Sequence, residues 1–218
     1  MLRILFEKTG NAIWISHLDL MRLFQRAFKR AGLPLTHTQG FNPRPSVSIA
    51  LPLSLGVESH CELLDFALDT DDVDVQKLPE KLNSKLIPGV RVLGAYANGR
   101  KIKELTYMAV AVTLTYDGGI PEGAVDAISD LFNNESIIVP KKGKNGTVEQ
   151  DIKPMIRRMS VTGEGSQVIL NALICCQNPT LNPAQIGAAV EIYLPEMRPD
   201  VCTCQRVEVY DMKEEIFR

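Results

Sequence analysis

The sequence predicts an α+β chain made of two tandem βαββαβ halves with antiparallel sheets. Three observations lead there. Short apolar runs and helical periodicity follow one another in the order strand, helix, strand, strand, helix, strand. That order occurs twice within 218 residues. A polar, glycine-containing stretch from Asn98 to Lys103 separates the two occurrences.

Leu2 to Phe6 is the first apolar run, and Gly10-Asn11 is the turn signal after it, so a strand is predicted. Ser16-x-x-Asp19 is a variant of the capping box and starts a helix. Leu20, Leu23, Phe24, Ala27, Phe28 and Ala31 recur at helical spacing, and Gly32 and Pro34 stop it. The segment THTQGFNPRP at 36–45 holds a glycine and two prolines and reads as a loop. Val47 to Leu51 and Leu63 to Leu68 are predicted strands, with LPLSLGVES as their connector. Val75 to Leu86 is helix-like, although Pro79 weakens it or moves its start. Val90 to Ala95 closes the first half.

In the second half, Tyr107 to Tyr116 alternates as a long strand does. Pro121 to Phe132 is a helix with Ala124, Ile128 and Leu131 on one face and Pro121 in its first turn. Ile137 to Val139 and Val148 to Ile152 bracket a lysine-rich glycine turn. Met155 to Val161 and Val168 to Cys175 form a hairpin joined by TGEGS. Ala184 to Tyr193 is a helix started by Asn182-Pro183, and Val207 to Tyr210 is the last strand. A βαββαβ order is the ferredoxin-like split arrangement. The expected domains are 1–98 and 104–218, the second carrying one hairpin more than the pattern needs.

The apolar fraction of 45% and charged fraction of 23% are those of an ordinary globular protein. A net charge of −2 removes overall basicity as an argument for nucleic acid and leaves only local patches. Arg3, Glu7 and Lys8 fall where a signal peptide needs an apolar run, and no stretch is long enough to span a bilayer. The expectation is a cytoplasmic chain without a membrane partner. Five cysteines, an odd number, argue against a disulfide framework. Cys175 and Cys176 are adjacent in a strand and point to opposite faces. Cys202-Thr-Cys204 puts two thiols on one side, half of a zinc site at most; small apolar filler is the plainer reading.

Charge is unevenly spread. Between Asn11 and Arg44, Arg22, Arg26, Lys29, Arg30 and Arg44 oppose Asp19 alone, and the four on the first helix share the face opposite Phe24 and Phe28. Between Lys141 and Arg158, Lys141, Lys142, Lys144, Lys153, Arg157 and Arg158 oppose Glu149 and Asp151. Both patches suit phosphates or acidic partners, and both also read as ordinary solvated surface. Glu58 to Glu80 is the reverse, with eight carboxylates against Lys77, and reads as an acidic edge.

The loop at 36–45 stands apart. It sets Gln39, Asn42, Arg44, Ser46 and Phe41 in a proline-braced frame directly before a strand, so its donors hold fixed directions at little ordering cost. His17 at the helix start, together with His37, is expected to face that loop; a buried, satisfied histidine is the alternative for His17. Walker and GxGxxG loops, the GxSxG elbow, HExxH, paired CxxC and the CxxxCxxC of a radical-generating iron–sulfur cluster are all missing from the sequence. No catalytic residue, metal or cofactor is predicted.

The words Ser16-His17-Leu18-Asp19, Gly40-Phe41-Asn42-Pro43 and Leu55-Gly56-Val57-Glu58-Ser59 resemble those of a bacterial family of uncharacterised radical SAM-linked proteins. The likeness spans most of the chain and weakens in the second half, where IRRM and VEVYD carry it. Members of that family are encoded beside, or fused to, a cobalamin-binding radical SAM protein, and they tend to lie near a ribonuclease of the E/G type. The resemblance therefore implies a radical SAM partner that supplies the cluster and the chemistry. It points to RNA as what the two would share. Tandem ferredoxin-like halves also recur in RNA-processing and pseudouridine-forming proteins, an analogy of fold.

The expected function is that of a non-catalytic accessory protein binding tRNA or rRNA for that enzyme. A cleft between the halves would be lined by His17, Gln39, Asn42, Arg44 and the two basic patches. One alternative is a docking subunit that meets the enzyme through the acidic run. The other is a metal-independent ribonuclease using His17 or His37 as acid–base.

Overall fold

In the first half, β1 (Leu2–Lys8), α1 (His17–Arg30), β2 (Val47–Ala50), β3 (Val57–Phe66), α2 (Leu78–Asn83) and β4 (Val90–Ala97) follow in chain order. This is a computed structural model, and it describes residues 1–70, 72–143 and 146–218. β1 pairs antiparallel with both β3 and β4, and β2 pairs antiparallel with β3, giving the spatial order β4-β1-β3-β2. That is the ferredoxin-like arrangement. The chain divides into two compact units, Met1–Glu104 with Phe217–Arg218, and Leu105–Ile216.

The first core lies between one sheet face and the helices. Ile4 and Phe6 of β1 meet Phe24, Ala27 and Phe28 of α1, with Leu64, Phe66, Leu78, Leu82 and Val92 around them. Phe6 meets Phe24 edge-on at 4.8 Å between ring centroids. α1 starts where the capping box puts it, the Asp19 N–H bonding the Ser16 hydroxyl at 3.2 Å. It stops through a Schellman closure: Leu33 N–H bonds Phe28 O at 3.0 Å and Gly32 N–H bonds Lys29 O at 3.2 Å. Gly32 sits at φ +70°, which only glycine adopts cheaply.

Two elements of the first half, β3 and α2, differ most from their sequence expectation. β3 begins at Val57, six residues before the predicted Leu63. Glu58, His60 and Glu62 hide the strand by alternating with Val57, Ser59 and Cys61, which point inward. α2 covers only Leu78–Asn83, with a 3-10 turn before it. Pro79, lacking an N–H, fits only a first turn. At the other end the Asn83 amide clamps the Val92 backbone, donating to its carbonyl at 2.9 Å and accepting from its N–H at 2.8 Å.

The opposite face of this sheet buries a charge. Arg3 is 3% exposed. It forks onto Asp65 with bonds of 2.5 and 3.0 Å and donates to Arg100 O at 2.8 Å. The Phe217 ring centroid lies 5.5 Å from its Cζ. Gly99 leaves the room, since a Cβ there would come within 2.8 Å of the guanidinium.

The second half runs β5 (Leu105–Thr115), α3 (Ala124–Asn133), β6 (Ile138–Gly143), β7 (Gly146–Asp151), β8 (Ile156–Glu164), β9 (Gln167–Cys175), α4 (Ala184–Tyr193) and β10 (Val201–Asp211). β10, β5, β9 and β8 are neighbours in that order, all antiparallel, so the ferredoxin-like pattern repeats. The additional hairpin is β6–β7, a separate two-stranded sheet. Its base is pinned by Asp151, which accepts from the N–H groups of Ile137 (2.9 Å) and Lys153 (3.0 Å). The Tyr193 hydroxyl of α4 holds both backbone groups of Ile138. β10 spans Val201–Asp211, far longer than the predicted Val207–Tyr210. The run CTCQR looks polar, yet Cys204 and Arg206 are buried within the strand. Among the described residues, no helix is long and apolar enough to cross a membrane.

Candidate functional site

The end of α1 and the loop after it form a well-defined surface feature of the first unit. The loop is tied down by its backbone. Thr36 N–H bonds Ala67 O (3.0 Å), Asp69 N–H bonds Pro34 O (2.8 Å) and Ser46 N–H bonds Thr36 O (2.8 Å). Thr38 N–H bonds Arg44 O at 2.8 Å, and Arg44 N–H returns to the Thr38 hydroxyl at 3.0 Å. The residues from Gln39 to Pro43 are thus the tip of a narrow, closed excursion from β2 and β3. Phe41 stands wholly exposed there, flanked by exposed Gln39, Asn42 and Arg44, while Ser46 at the base is half-buried.

Below the tip is a cavity of about 590 Å³. Gln25 and Lys29 of α1 form one side; Leu33, Pro34, Leu35, His37 and Pro45 form the rest. The i, i+4 spacing of Gln25 and Lys29 puts both on one side of the helix. Arg22, Arg26, Lys29 and Arg30 are all exposed, as the helical pattern predicts. Arg22 spends part of its charge on Asp19 at 2.9 Å. The Ser16 hydroxyl and then Arg22 hold the Asp19 carboxyl below the usual range. A smaller cavity of about 390 Å³ lies along the first half of α1, lined by Ile15, Asp19, Arg22, Leu23, Arg26 and Ile87.

His17 does not share the loop's surroundings. It is half-buried and opens α1. His37 lines the cavity at the other end, beside Lys29. Twelve residues separate His17 from Lys29, about 18 Å along the axis at 1.5 Å per residue. The expectation that the helix start faces the loop is corrected: α1 runs away from its own N-terminus toward the loop, so the two histidines are held apart.

The second unit's basic residues are scattered. Arg157 and Arg158 are exposed on β8 at a register shift that turns both toward Glu214, and each pairs with it. Arg158, then Arg157, hold the Glu214 carboxyl below its ordinary value. The one carboxylate answers at most one of their two charges within the unit. Lys141 is half-buried on β6. The side chain of Lys142 and the whole of Lys144 lie outside the described residues.

The acidic run is not a continuous surface either. Glu62 is buried at 1% exposure, Asp65 serves Arg3, and Asp74 pairs with Lys77 at 3.3 Å. Asp71 lies outside the described residues.

Among the described residues, no three His, Cys, Asp or Glu side chains are grouped to hold a metal. All five cysteines are free thiols. Burial pushes the Cys176 thiol up to about 12. Cys202 is exposed, and its hydrogen bond with Cys204 lowers its pKa and raises that of Cys204. Gln25, Leu33 and Leu35 were absent from the sequence expectation, although the Gln25–Lys29 spacing beside a proline-braced loop signals them.

Residues 1–183 match the model of a family described as an uncharacterized protein conserved in bacteria, DUF2344. The chain belongs to this family. No curated protein matches it. Among solved structures, this DUF2344 chain is similar to a chain in the crystal structure of a Cbf5-Nop10-Gar1 complex, at 10% identity and a TM-score of 0.51. The match covers 95% of this chain and 48% of that one, so this chain spans about half the length of its structural relative. At that identity the likeness is one of fold. A crystal structure of an unknown protein from Galdieria sulphuraria aligns at 11% identity over 94% of this chain and 97% of that one, with a TM-score of 0.27, too low to support an argument.

Proposed function

We propose that this DUF2344 chain is a non-catalytic RNA-binding accessory protein that works with a cobalamin-binding radical SAM enzyme. One observation carries the RNA part. The exposed basic face of α1 leads to a backbone-fixed loop whose tip offers a fully exposed Phe41 among Gln39, Asn42 and Arg44. An exposed ring offers a stacking platform for an unpaired base, and nearby guanidinium and ammonium groups meet phosphates. The likeness of its sequence words to radical SAM-linked proteins supports the partner. tRNA or rRNA is the proposed ligand class.

Fluorescence anisotropy with total tRNA and with rRNA at low salt tests the reading. Binding that weakens with salt is expected, with a slope of about −0.7 per phosphate contact on single strands. Removing Phe41 and Arg44 together weakens it. Absence of binding to either RNA at low salt overturns the proposal.

A further inference from the structure

We propose that the cavity at the C-terminal end of α1 is a pocket for one unpaired nucleotide. It would hold the base between the Pro34–Leu35 wall and Pro45, with Gln25 reading the base edge and Lys29 taking the phosphate. The inference rests on the RNA reading above and names the part of the surface that distinguishes a base from a bare phosphate backbone.

Size is the first argument. At about 590 Å³ the cavity falls within the range of roughly 300–1,000 Å³ of small-molecule sites, which accommodates a base with its sugar. Chemistry is the second. The walls are apolar, two proline rings and two leucines, and suit the face of a flat heterocycle. The polar groups are a side-chain amide, an imidazole and an ammonium. An amide both donates and accepts, as a base edge requires, and the cation suits a phosphate. Among the described residues no carboxylate lines the cavity, Asp69 reaching it only through its backbone N–H on Pro34 O, while Arg26 and Arg30 lie on neighbouring turns of the same helix. That charge pattern favours an anionic ligand over a cationic one.

The third argument is availability. Gln25 is half-buried at the cavity wall, and its amide is not among the buried groups left without a hydrogen-bond partner, so it is open to water and hence to a ligand. The fourth is preorganisation. The Schellman closure at Gly32 fixes the cavity floor, and the Thr36–Ser46 and Thr38–Arg44 backbone bonds fix its far wall. A ligand therefore binds without ordering either side.

The test uses the full chain. Wild type, Gln25→Ala and Lys29→Ala are compared by anisotropy against a labelled 12-nucleotide single-stranded RNA and a duplex of the same length. Amide chemical shifts are followed on addition of AMP, GMP, CMP or UMP. Both substitutions lie on the helix surface, and circular dichroism verifies the fold. The expected result is a preference for the single strand and a loss of about tenfold in Gln25→Ala. The salt slope should be unchanged in Gln25→Ala and reduced in Lys29→Ala. Shifts at Leu33, Leu35 and His37 should appear with at least one mononucleotide. RNA binding that is indifferent to Gln25→Ala, with duplex competing equally, overturns the pocket and leaves the RNA reading standing. Mononucleotide shifts at the cavity without RNA binding do the opposite. Neither signal overturns both.

Discussion

Replacing Asp65 by alanine isolates the buried cation of the first unit. Arg3 is 3% exposed, and the Asp65 carboxylate takes two of its hydrogen bonds, at 2.5 and 3.0 Å. The guanidinium cannot shed its proton, so without Asp65 a full charge stays buried with Arg100 O as its hydrogen-bond acceptor and the Phe217 ring beside it. Breaking such a pair from one side costs about 3–5 kcal/mol. A domain has about 5–15 kcal/mol in all, so a large part of the unit's stability is at stake. With a urea slope of about 2 kcal/mol/M, a loss near 4 kcal/mol moves the midpoint of the first unit down by about 2 M. Urea unfolding of full-length Asp65→Ala, followed by hydrogen exchange so that each unit is read separately, is the assay. The double variant Arg3→Met, Asp65→Leu removes both charges at similar volume and should recover most of the loss. A loss under about 1 kcal/mol in Asp65→Ala, or a double variant as unstable as the single one, would refute the reasoning.

Two further outcomes follow from the second unit. The backbone N–H of Ile137, and then that of Lys153, hold the Asp151 carboxyl below its ordinary value. A depressed folded pKa gives stability that is present above the unfolded value of about 3.9 and is lost as pH falls through the folded one. The β6–β7 base should therefore loosen only in that acid window, and Asp151→Asn should flatten the effect; a carboxyl NMR titration placing Asp151 at or above the ordinary value would contradict this. Native alkylation with iodoacetamide near pH 8 should label exposed Cys202 first and leave Cys176, pushed up to about 12, unlabelled. Peptide mass spectrometry decides it, and early labelling of Cys176 would count against the assigned burial.

Local chemistry explains why much of the fold was legible. The Ser16 cap, the 3.6-residue pattern through Phe24 and Phe28, and the Gly32 stop are each contained in a few consecutive residues, and α1 forms where they place it. The same is true of α4, which spans Ala184–Tyr193 as predicted. The loop from Gln39 to Ser46 was marked by its prolines and glycine, and its backbone bonds run to the nearby Thr36 and Thr38 and to the end of β3.

What resisted reading is what depends on distant partners. β3 and β10 are disguised by Glu62 and Arg206, which are tolerable inside a protein only once other strands surround them. Arg3 looks like a surface residue until Asp65, 62 positions later, meets it. Glu214 draws in Arg157 and Arg158 from more than 50 positions away, which answers one of their two charges. The sequence by itself determined α1 and α4, the turn at Gly32 and which face of α1 is basic, because those follow from spacing along one element. Only the tertiary structure decided that Gln25 and Lys29, rather than His17, stand beside the proline-braced loop. The direction in which α1 runs back across its sheet sets which end the loop meets, and the packing of Phe24 and Phe28 against β1 and β3 fixes that direction.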